Sequence, residues 1–141
     1  EPAGPPFENR VISKGQARPW GIADLPLAHD PPAAAPDDLA IELQAEPDHP
    51  DLVRCWQQKA PARRLANLAG IPVVIVTGEA SYHAAYDHCT AKYLAAAGVA
   101  ADFIRLEDRG IHGNGHMLML EKNSADIAAL VAERLAQTLP A

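Results

Sequence analysis

Apolar and polar positions along this chain follow two different regimes, and the change falls near residue 62. From there on the pattern is regular. "ARRLANLAG" (62–70) reads as a short helical stretch that stops at Gly70, a suitable helix end. "IPVVIVTG" is an unbroken β-branched run, the mark of a strand covered on both faces. "SYHAAYDHCTAKYLAAAG" carries Ala85, Cys89, Tyr93 and Ala96 at helical spacing, with Gly98 closing it. "ADFIRLED" is a second, shorter strand. A glycine loop follows, and then "SADIAALVAERLAQTL", amphipathic with Ile127, Leu130, Val131 and Leu135 on one side. The pattern predicts parallel strands at about 71–77 and 102–107, with a helix over 82–97 crossing between them by a right-handed connection.

Residues 1–61 behave otherwise. Ten of the 13 prolines lie in the first 50 residues, in pieces such as "EPAGPPF" and "DLPLAHDPPAAAPDD". Proline fixes φ and removes a donor, so only irregular backbone with short helices is expected. Such a composition also suits a disordered linker. Against that, Phe7, Val11, Ile12, Trp20, Ile22, Leu25 and Leu27 are spread along it as anchors for a segment draped over a core. The division expected is a Pro-rich, cap-like segment (1–61) packing on an αβαβα part (62–141).

Composition narrows the function. Twelve basic against 18 acidic residues give a net charge of −6, with no Lys/Arg cluster. That disfavours nucleic acid and anionic membrane surfaces as partners. No apolar run, Ile71 to Val76 among them, is long enough to span a bilayer. Cys55 and Cys89 form no CxxC; they are either two buried thiols or one disulfide. The chain opens on Glu1-Pro2 without an initiator Met or a signal-like segment. It is expected to be the C-terminal part of a longer protein, leaving a cytoplasmic or periplasmic location undecided. No P-loop or GxGxxG is present, and no cofactor is expected.

In parallel sheets chemistry gathers at the carboxyl ends of the strands, where "TGEASYH" and "DRGIHGNGH" both fall. Glycines let the second loop turn sharply, which suits a functional His112 or His116. HxxxH could bind zinc on a helix, with Cys89 or His88 as a further ligand, but Gly113 and Gly115 argue against a helix there. No metal is expected. The bland readings are a loop histidine for His112, a capped or core histidine for His116, surface positions for His83 and His88, and core packing for Met117 to Leu120.

The stretch from about Ile71 resembles the C-terminal third of an α/β-hydrolase. "IPVVIVTGE" is similar to that fold's penultimate strand, and "GNGHMLMLE" to its catalytic-histidine loop. Together with "EPAGPPF" and "RPWGIADLPLAHDPP", these resemble a small bacterial esterase-like branch. The resemblance implies that His116 is the catalytic base and His112 a neighbour. The acid implied is Glu1 in "EPAG"; Glu79 competes for the role, and a third possibility is neither. No GxSxG surrounds Ser13, Ser81 or Ser124, so the nucleophile is expected upstream of Glu1 and residues 1–141 alone are expected to be inactive. Two functions are carried forward. One is a serine hydrolase of small-molecule carboxylic esters; the other is a non-catalytic α/β binding module of degenerate hydrolase fold.

Overall fold

The computed structural model describes residues 1–11 and 14–139, so Ile12 and Ser13 lie outside the described residues. Its centre is one parallel pair. Strand β5 (Val73–Thr77) lies beside β6 (Ala101–Arg105), with Val73 opposite Ala101 and Thr77 opposite Arg105. Helix α1 (Asp87–Ala96) connects them. The β-branched sequence VVIVT suits this pleated, covered surface, and its buried residues are Ile75 and Thr77, two apart on one face. Tyr93, Leu94 and Ala97 at the end of α1 pack with Ile75 and Val99. Helix α2 (Ser124–Thr138) follows the glycine loop and ties to β6 through the Arg134–Asp102 ion pair at 2.7 Å.

Element ends differ from the sequence reading. Ile71 and Pro72 precede β5, and the second strand ends at Arg105 because Leu106–Arg109 tighten into a 3₁₀ turn. The 62–70 stretch is helical only over Ala66–Leu68, again 3₁₀. The largest shift is at the crossing helix, which begins at Asp87 and not at residue 82. Ser81 explains it. Its hydroxyl accepts the His83 N–H at 3.1 Å, and such local capture of the backbone competes with helix. His83 is therefore not on a helix surface but 2 % exposed in a turn, and His88 is buried as well.

The Pro-rich segment holds short strands. β1 (Glu8–Asn9) pairs with β2 (Gly15–Gln16), and β3 (Ile41–Leu43) pairs antiparallel with β4 (Trp56–Gln58). Phe7, Trp20 and Leu39 belong to the same buried cluster as Ile75 and Tyr93, with Ile22 and Leu27 packed against it. Val11 and Leu25 are exposed. A Cys55–Cys89 disulfide joins the run before β4 to α1. Among the described residues no helix is long and apolar enough to cross a membrane.

Candidate active site

Thr77 ends β5, and the next residue is where two loops meet. Gly78 lies against the backbone of the glycine loop so closely that a Cβ there would stand 2.4 Å from the Asn114 carbonyl oxygen. Ala80 N–H donates to that same carbonyl at 2.9 Å. The far side of the loop is held by side chains. Asn114, 2 % exposed, exchanges amide hydrogen bonds with Asn123 at 2.6 and 3.3 Å, and Glu121 accepts the Gly115 N–H at 2.7 Å. Gly113 turns the chain at φ 75°, a conformation that side chains disfavour. The residue delivered by this clamp is His116.

The Glu1 carboxylate accepts a hydrogen bond from His116 Nδ1, joining residues 115 apart in sequence. Its other oxygen accepts the Gly78 N–H at 3.2 Å, which fixes the carboxylate at the end of β5. The Glu1 side chain is 2 % exposed and that of His116 is 36 % exposed. An acid sealed from water beside a base open to it is the geometry that general-base chemistry needs. The imidazole opens on a cleft of about 480 Å³ lined by Pro2, Ala3, Asn9, Val11, Tyr82 and His83.

Glu79 does something else. Its carboxylate accepts His112 Nδ1–H at 3.2 Å and the Gly113 N–H at 2.8 Å. The backbone donor of Gly113, then His112, hold its carboxyl below the usual carboxylate range. This second pair is exposed, 64 % at His112 and 44 % at Glu79, and it braces the outer side of the loop.

Beneath His116 lies a group that sequence reasoning missed. His83 Nδ1 donates to Asp87 Oδ1 at 2.9 Å, and the Thr77 hydroxyl donates to Asp87 Oδ2 at 2.7 Å. Asp87 is fully buried, and burial pushes its carboxyl up despite both donors. Burial, then the neighbouring Asp87, raises the Tyr86 phenol to about 12. The His83 ring lies flat on that of His116, with centroids 4.6 Å apart and planes 5° apart. The i, i+4 spacing of His83 and Asp87 was the available signal, hidden by the expected surface position of His83.

Glu1, His83 and His116 each bring one ligand atom within 4.8 Å of the others. A metal ion lies in the plane of each imidazole that binds it, so two parallel stacked rings cannot share one ion without a ring turning. The sulfurs of Cys55 and Cys89 lie beside His88 but are joined to each other, so the thiolate considered for zinc is already spent. Another expectation fails outright. Met117, Met119 and Leu120 are exposed instead of core-facing, because the turn after His116 is pinned from Asn114 and Glu121 and leaves them on the rim.

No family model matches the chain, and no solved structure matches it. A curated protein named "Probable secreted lipase phiG", from Fungal sp. (strain ATCC 74256), is 44% identical over 134 residues. The match covers 93% of this chain and 36% of that protein, so the chain spans about a third of its relative's length. The relationship is thus to a lipase-named, hydrolase-like protein. That relative is fungal and lends no support to a bacterial branch.

Proposed function

We propose that this chain is the C-terminal portion of an α/β-hydrolase-fold serine hydrolase acting on carboxylic esters, and that it supplies the base and the acid of the catalytic triad. The observation carrying the proposal is the sealed Glu1 carboxylate on Nδ1 of a cleft-facing His116. The parallel β5–α1–β6 unit with its loops at the strand ends agrees with that fold. The relative's name supports ester hydrolysis as the reaction class.

In this reading Glu1 keeps the His116 proton on Nδ1 and leaves Nε2 as an acceptor. A serine hydroxyl, on residues preceding Glu1, attacks the ester carbonyl while Nε2 takes its proton. The imidazolium, stabilised by Glu1, returns the proton to the leaving alcohol. Water repeats both steps on the acyl-enzyme and releases the acid. The disulfide and the word "secreted" in the relative's name favour an oxidising compartment.

The test uses the full-length protein and p-nitrophenyl esters. His116→Ala lowers kcat by about 10³-fold or more, and Glu1→Gln by about 10²-fold or more, because the imidazole loses its tautomer control. His112→Ala costs far less. Residues 1–141 alone hydrolyse the ester no faster than free imidazole. If His112→Ala and His116→Ala exchange effects, the base is misassigned. If neither matters, the non-catalytic binding module replaces this proposal.

A further inference from the structure

We propose that His83 is a positioning residue for His116, a flat buried platform that holds the base in the one ring orientation able to face Glu1 and the cleft together. The proposal rests on the reading of His116 as the base. A single hydrogen bond at Nδ1 leaves an imidazole free to swing about that bond, and χ2 of histidine is a broad torsion. The Tyr82 ring meets His116 at a tilt of 46°, and the parallel His83 stack supplies the flat restraint, since rotation of His116 would drive its edge into the His83 face.

The platform itself cannot turn. Asp87 holds its Nδ1, Thr77 at the end of β5 holds Asp87, and Ser81 holds its backbone N–H. Tyr82 and Tyr86 flank it at 4.5 and 4.9 Å between centroids. The anchor therefore runs from the last residue of the strand to the face of the base. A carboxylate–imidazole pair serves each ring of the stack, one to aim the base and one to aim what lies under it.

The experiment compares His83→Phe with His83→Leu in the full-length enzyme. Both remove the bond to Asp87 equally, and both are large and apolar; only Phe keeps a flat face. His83→Phe is expected to retain kcat within about threefold, whereas His83→Leu lowers it about tenfold or more with KM little changed, as expected of a misoriented base. Equal kcat in the Phe and Leu variants overturns the proposal, as does a loss that appears only in KM. If His83→Leu does not fold, the wild-type protein decides: ring-proton cross-peaks between His83 and His116 support the stack, and their absence overturns it. His116→Ala is run alongside. If that variant stays active, the assignment of the base has failed; if it is dead while Phe and Leu behave alike, only the role of His83 has failed.

Discussion

Gly78→Ala should damage the site without touching any group that reacts. The added Cβ would stand 2.4 Å from the Asn114 oxygen, 3.0 Å from its carbonyl carbon and 3.2 Å from the Gly115 oxygen. Carbon and oxygen settle at roughly 3.4 Å or more, so the two backbones must part by about 1 Å. All three obstacles are backbone atoms, and the loop that owns them is pinned by Asn123 and Glu121, so no side chain can simply rotate away. The movement falls on His116, two residues beyond Asn114, and on the Gly78 N–H that holds Glu1. Overpacking of this kind costs about 1–3 kcal/mol. A displacement of about 1 Å in a catalytic group costs about 10²-fold in rate. The assay is kcat for a p-nitrophenyl ester with a thermal melt beside it. Gly70→Ala is the control, since nothing lies within 4 Å of its Cβ position, and it should leave both measurements unchanged. Wild-type kcat and melting in Gly78→Ala would refute the idea that the β5 end and the histidine loop are in close register.

Two further outcomes follow from the surrounding structure. Replacing both Cys55 and Cys89 by Ser opens a cross-link between residues 34 apart, which should cost roughly 3–4 kcal/mol in a denaturant melt through the freed unfolded chain. A loss well below 1 kcal/mol would argue that the bridge is not formed in the folded protein. Asp87 has a folded-state pKa raised by burial, so its contribution is fully present below the ordinary carboxylate range and is lost as pH rises through the raised value. Asp87→Asn should therefore flatten the decline in stability across that window, and an unchanged pH–stability profile would contradict the assignment.

The Glu1–His116 and Glu79–His112 pairings show where local reading ends. Glu1 and Glu79 are both plausible partners for a histidine on "GIHGNGH". Which one meets His116 depends on where the end of β5 lies relative to the first residues of the chain, and that is a matter of packing. Contact between residues 115 apart has no local signature. Periodicity likewise could not separate a helix starting at residue 82 from one starting at 87, because the Ser81 hydroxyl intervenes by a single hydrogen bond. The same error put His83 on the surface and hid the platform. From sequence, Met119 and Leu120 are expected inside for a different reason: apolarity alone does not say which side of a clamped turn faces water.

What the amino-acid order determines by itself is what short-range physics controls. The β-branched run 73–77, the helical spacing through Cys89 and Tyr93, the amphipathic last helix and the glycine-rich loop bearing His116 all follow from torsional preference and periodicity. Tertiary structure decided the rest: the parallel register, the Cys55–Cys89 bridge, the β3–β4 pair inside a Pro-rich stretch, the choice of Glu1 over Glu79 at His116, and the stack of His83 beneath it. Each of these joins groups distant in sequence, and their energy depends on distances that only the packed chain sets.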